Sequence, residues 1–217
     1  MQVIITMPEN FLRTKERTNP FIDPIVRVCE KNNIDYRILI PTFCPHTGYN
    51  RQKVVGTLAF CWGGIVFWKI LHLLTRLSTE EIRKIWGRIW NFVTLGYYKA
   101  DLYITVAGMF STELRGAYPK ARFAGLQHGV IYSKHPGYFD KDGRAKLIGE
   151  MWVYGESYKK CFFKHPENAK DLEGRVKIIG DVVRANAQVE GCRLKVEGGE
   201  KVGGLERNLG VMALQLT

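Results

Sequence analysis

One pattern recurs along this chain and limits its fold. Short runs of β-branched and aliphatic residues close on polar or glycine-bearing turns and pass into segments of helical period. Val3 to Met7 is the first run and Tyr36 to Ile40 the second. Between them Pro24 follows Asp23, and Ile25, Val28 and Cys29 fall at i, i+3 and i+4 before Asn32-Asn33. That spacing predicts a helix capped by Asp23, with Pro24 in its first turn. Further apolar runs come at Asp101 to Val106, Arg122 to Leu126, Met151 to Tyr154 and Val176 to Ile179. Continuous apolar runs, rather than strict alternation, mark strands covered on both faces, and such strands pair in parallel. The pattern predicts an α/β fold, a doubly wound, Rossmann-like parallel sheet with helices on both faces, over residues 1–184. Residues 185–217 read instead as an irregular, glycine-rich C-terminal tail.

Composition narrows the function classes. An apolar fraction of 46% excludes a chain disordered throughout, and a net charge of +11 favours phosphate-rich partners. Cys29, Cys44, Cys61, Cys161 and Cys192 are scattered with no C-x-x-C spacing, which argues against a disulfide framework or zinc ribbon and fits a reducing cytoplasm. Met1 to Pro8 reads as a first strand rather than a signal peptide.

The segment 51–99 is apolar and basic together. Val54 to Trp68 carries no charge, yet Lys69 and His72 interrupt it before the ~20 residues that a membrane span requires. Ser78-Thr79-Glu80-Glu81 forms a capping box ahead of Ile82, Ile85, Trp86, Ile89 and Val93. Trp62, Trp68, Lys69, Arg83, Lys84 and Arg88 are therefore expected to face a membrane surface. The competing expectation is a helix that covers the sheet with a solvated basic face.

The residues richest in chemistry lie just past the run 122–126. Gln127-His128-Gly129 stands at a predicted strand end, where the glycine is expected to allow a sharp turn and the imidazole to act as a base. In a parallel sheet, Glu9, Gln127, His128, Glu156 and Asp181 would converge on one crevice, with Glu156 orienting His128. The alternatives are a buried histidine held by backbone and a Glu156 that complements a helix dipole. Asp140-Lys141-Asp142-Gly143 could hold a divalent ion but reads better as a turn, so no metal site is assigned. The glycines at 198–204 lack the lysine and hydroxyl residue of a phosphate loop.

Leu126-Gln127-His128-Gly129, with His135-Pro136-Gly137-Tyr138 behind it, and Trp152 to Lys160 running into Val176 to Asp181 carry a family resemblance. Together with the opening strand and the Trp- and Lys-bearing apolar helices, they resemble the N-terminal half of bacterial GT-B glycosyltransferases of the surface and capsular polysaccharide type. A more distant similarity is to teichoic-acid glycerophosphate transferases. The resemblance implies an acceptor-binding domain over 1–184, with His128 and Glu156 catalytic and Gln127, Gly129, His135, Tyr138, Ser157 and Asp181 binding substrate. It implies a nucleotide-sugar donor, a lipid-linked or glycan acceptor, an anionic membrane surface on the cytoplasmic side, and no cofactor. The donor half would begin near Arg184, so 185–217 reads as a truncated or altered start of it, and the chain alone is expected to be inactive. A glycerophosphate-type transferase and a non-catalytic membrane-binding module are the competing readings. Nucleic acid is disfavoured, because the aromatics fall on apolar helix faces.

Overall fold

The computed structural model describes residues 1–43, 45–132, 135–147 and 149–180. Asp181 and the tail at 185–217, with the predicted domain boundary, lie outside the described residues. Among the described residues seven strands form one sheet: β1 (Gln2–Thr6), β2 (Asp35–Ile40), β3 (Val54–Gly56), β4 (Leu102–Val106), β5 (Arg122–Leu126), β6 (Glu150–Val153) and β7 (Val176–Ile178). They pair in the order β3-β2-β1-β4-β5-β6-β7, and every pair is parallel. The fold is an α/β, Rossmann-like sheet. Its order reverses between β1 and β4, the place where such sheets open a crevice beyond their carboxyl ends. Here the Thr6 hydroxyl donates to the Met109 carbonyl at 2.7 Å and joins the two diverging connections.

Side-chain alternation assigns the two faces. Val3, Ile5, Ile38, Ile104, Ala124 and Trp152 pack beneath α1 (Asp23–Lys31). Ile4, Leu39, Tyr103 and Phe123 point the other way, toward α2 (Leu58–Leu74), α3 (Thr79–Val93) and α4 (Ser111–Ala117). On that second face Met151, Val153 and Val176 meet Phe162 of α5 (Glu156–Phe162) and Leu172 of α6 (Pro166–Leu172). Burial on both faces is why these strands read as unbroken apolar runs.

Local signals place most element ends. Ser78 and Glu81 form the expected capping box of α3, and Asn33, at φ 52°, ends α1. The start of α1 differs from expectation. Its N-cap position is Ile22, with no side-chain cap, and Asn19 orders the turn ahead of it: its side-chain oxygen accepts from the backbone N–H of Phe21 at 2.8 Å and Ile22 at 3.2 Å. Asp23 is already helical, and its carboxylate accepts from the Thr18 and Tyr49 hydroxyls at 2.9 and 2.6 Å. Strand β3 also emerges inside the apolar run that the sequence assigned to helix, because Val54–Gly56 has an open edge of β2 to pair with.

The basic residues of α3 are not free. Arg83 grips Glu113 with two hydrogen bonds, at 2.7 and 2.9 Å, Lys84 pairs with Glu80 at 2.5 Å, and Arg88 donates to the Gly116 carbonyl at 3.2 Å. Arg83, Lys84 and Arg88, expected to face a membrane surface, thus each have a partner within the protein, and α4 lies along the side of α3 that carries Arg83 and Arg88. The two helices touch backbone to backbone, since a Cβ at Gly87 would lie 1.9 Å from the Glu113 carbonyl oxygen and one at Gly116 2.5 Å from the Lys84 Cα. Trp62 and Lys69 are exposed, whereas Trp68 is half-buried, stacked on His72 at 5.1 Å.

This crossing makes a stability prediction. Gly87→Ala should lower unfolding free energy by about 1–3 kcal/mol through overpacking. Gly129→Ala, with open space at its Cβ, should change it by less than about 0.5 kcal/mol. Urea denaturation of the two variants decides, and equal midpoints would contradict the close crossing.

Candidate active site

Strand β5 delivers its last residues to the carboxyl edge of the sheet, and Gln127 shapes the turn beyond it. Its backbone N–H still pairs with the Trp152 carbonyl at 2.9 Å, as if the strand continued. Its side chain is fully buried: the amide nitrogen donates to the Gly129 carbonyl at 2.7 Å, and the amide oxygen accepts from Tyr154 N–H at 2.9 Å. The Tyr154 hydroxyl donates to the Gln127 carbonyl. Gln127 is thus no substrate ligand; it locks the ends of β5 and β6 together and holds the turn that carries His128. Gly129 does not supply that turn through special backbone freedom, because its φ is not positive.

His128 is half-buried. Its ring meets Phe11, from the connection after β1, edge to face at 5.3 Å, and its Nδ1 lies 3.0 Å from the Tyr138 hydroxyl. The Tyr138 hydroxyl also accepts from the His128 backbone N–H at 3.5 Å. Burial holds the imidazole below its ordinary pKa; the Leu126 carbonyl opposes the shift, and the charges of His135 and Arg13 add to it. Burial pushes the Tyr138 phenol up to about 12. A neutral imidazole and a neutral phenol therefore face each other at neutral pH, and the ring is free to accept a proton.

A hollow of about 80 Å³ adjoins this pair, lined by Thr105, Ala107, Gly108, Gly125, Tyr138 and Lys146 along with His128. At Gly125 the Met151 side chain closes over the sheet, since a Cβ there would lie 3.2 Å from its sulfur. A wider hollow of about 630 Å³ lies over α1, where Tyr49 bonds Asp23 at 2.6 Å and Tyr36 bonds Glu30 at 2.8 Å.

The expected convergence is partial. Glu156 sits exposed in the first turn of α5, beside a separate hollow with Lys159 and Lys160, so it does not orient His128; Tyr138 takes that place. Glu9 pairs with Arg17 at 3.4 Å, and Ser157 is exposed on α5. His135 turns its Nδ1 to the Gly137 N–H at 3.0 Å and tilts its ring against Tyr138 at 4.9 Å. Asp140 closes the Asp-Gly turn by accepting from the N–H groups of Asp142 and Arg144 at 2.9 and 2.8 Å. Phe11, Arg13 and Lys146 reach the site without having been singled out; the basic loop after β1 was the available signal. Among the described residues no group of three His, Cys, Asp or Glu side chains is arranged to hold a metal ion.

The lowered His128 pKa has a thermodynamic consequence. Between the folded pKa and the unfolded value near ~6.5, the unfolded chain binds more protons, so stability rises with pH across that window and falls on acidification through it. Histidine NMR should show His128 titrating below ~6.5, and His128→Gln should flatten that part of the stability profile. A His128 midpoint at or above that value would contradict the buried setting.

No family model and no curated protein matches this chain. Among solved structures, UDP-GlcNAc 2-epimerase from Methanocaldococcus jannaschii is similar at 14% identity with a TM-score of 0.48, covering 87% of this chain and 48% of that one. The chain spans about half the length of the structure it matches.

Proposed function

We propose that this chain is the acceptor-side part of an enzyme of nucleotide-sugar chemistry, transferring a sugar from a nucleoside diphosphate to a hydroxyl of a lipid-linked or glycan acceptor. The observation that carries this reading is the neutral His128 at a strand end, held by Tyr138 beside an open hollow. In the tautomer whose proton sits on Nδ1, beside the Tyr138 oxygen, Nε2 keeps its lone pair and accepts the acceptor's hydroxyl proton. The hydroxyl oxygen forms its bond to the anomeric carbon as the bond to the diphosphate breaks. The nucleoside diphosphate leaves with the electron pair, and the imidazolium later returns its proton to solvent. Lys146 at the hollow and Arg13 nearby supply positive charge where negative charge develops.

The test uses the full-length gene product with sugar nucleotides and membrane-extracted acceptors. His128→Ala should lower transfer by about 10²–10⁴-fold, the usual share of a general base. Tyr138→Phe, which removes one neutral hydrogen bond, should cost about two- to tenfold. The acid limb of kcat/KM should fall below pH ~6.5. Unchanged transfer in His128→Ala, with the protein folded, would reject the reading.

A further inference from the structure

Helix α2 poses a packing problem that the sheet does not solve. Of its 17 residues only Phe60 is buried, although all but Lys69, His72 and the two glycines are apolar or aromatic. Trp62, Ile65, Val66 and Ile70 are exposed, and Leu73 and Leu74 are 85% and 72% exposed. Phe92, at the end of the neighbouring α3, is 81% exposed. So much apolar surface on one hairpin marks a binding face. No helix among the described residues is long and apolar enough to cross a membrane.

The charges around this face that lack a carboxylate partner are all basic. Within 51–99 the two acids are both engaged, Glu80 by Lys84 and Glu81 by the capping box of Ser78. Lys69, Arg76 and Lys99 are exposed and have no carboxylate partner among the described residues. Lys69 lies one turn from Ile65 and from Leu73, within the apolar face. A second copy of this chain would bring like charges to such a contact. An anionic lipid surface brings opposite ones.

The hairpin also contains a groove. Trp86 of α3 packs against Gly63 and Gly64 of α2, where a Cβ at Gly63 would come within 2.7 Å of its ring. Beside this notch a mostly apolar hollow of about 520 Å³ runs past Ile65, Trp68 and Ile82 to Ala107 and Gly108. Ala107 and Gly108 also line the His128 hollow, so the two spaces share a wall.

We infer that the α2–α3 hairpin docks on an anionic bilayer and that its groove takes one apolar chain of a membrane lipid, whose polar end is thereby presented at His128. The last clause rests on the transfer reading above; the docking does not. An acceptor held in this way would be lipid-linked rather than a free glycan.

The full 217-residue chain is tested by co-sedimentation with phosphatidylcholine vesicles, with and without 30 mol% (~30%) phosphatidylglycerol, at low and high salt. Binding should be at least ~10-fold tighter to the anionic vesicles, weaken with salt, and fall at least ~10-fold in Leu73→Glu/Leu74→Glu with an unchanged melting temperature. Both residues point outward, so the variant should fold; circular dichroism checks that. His128→Ala should bind as wild type, which separates failure of docking from failure of the transfer reading. Vesicles with brominated acyl chains should still quench tryptophan emission in Trp62→Phe/Trp68→Phe, where Trp86 is the indole left beside the groove. The proposal is overturned if the chain stays in the supernatant, if Leu73→Glu/Leu74→Glu binds as wild type, if quenching vanishes in the double tryptophan variant, or if the hairpin mediates a dimer that ignores vesicles.

Discussion

Parallel pairing is the constraint on which the rest of this molecule depends. It sends every strand's carboxyl end to the same edge of the sheet, and the reversal of order between β1 and β4 parts the connections there. Residues separated by more than a hundred positions meet at that edge, as Phe11 and His128 do. The contact also needs β5 to stop at a fixed place. Gln127 provides the stop: a fully buried amide with both ends bonded would leave costly unpaired groups if the register slipped.

Chemistry at this edge depends on desolvation more than on charge. A carboxylate beside His128 would stabilise the imidazolium and raise its pKa. The phenol of Tyr138 fixes the ring without doing so, and burial carries the shift downward. The site is therefore built to keep a neutral imidazole available.

The opposite strain on the design lies at the α2–α3 hairpin, where the fold leaves apolar surface in water although α3 and α4 pack as tightly as backbone allows. Arg83 and Glu113 fasten that crossing, so the basic side of α3 serves cohesion within the protein. The outer face of α2 has no such internal partner among the described residues. Its position beside the His128 edge links the unused surface to the site.

Much of this was legible in the residues. Apolar runs revealed six of the seven strands, because strands covered on both faces need no polar alternation, and the Ser78 capping box announced α3 at its first turn. Strand β3 was hidden, since three residues of an apolar run read equally as strand or helix until the edge of β2 is present to pair with. His128 at a strand end was readable from its neighbours in the chain. Its partner was not: Glu156 was expected to orient the ring and Tyr138 to bind substrate, and sequence distance says nothing about which side chain reaches Nδ1. The same limit applied to Gln127, Arg83 and Arg88, polar groups whose roles are set by what packs on them. The sequence by itself determined the parallel α/β fold and the edge at which His128 stands, because burial and turn chemistry are local and periodic. Only the tertiary structure decided the partners, since hydrogen bonds and ion pairs between distant elements depend on ångström-scale approach that no spacing along the chain encodes.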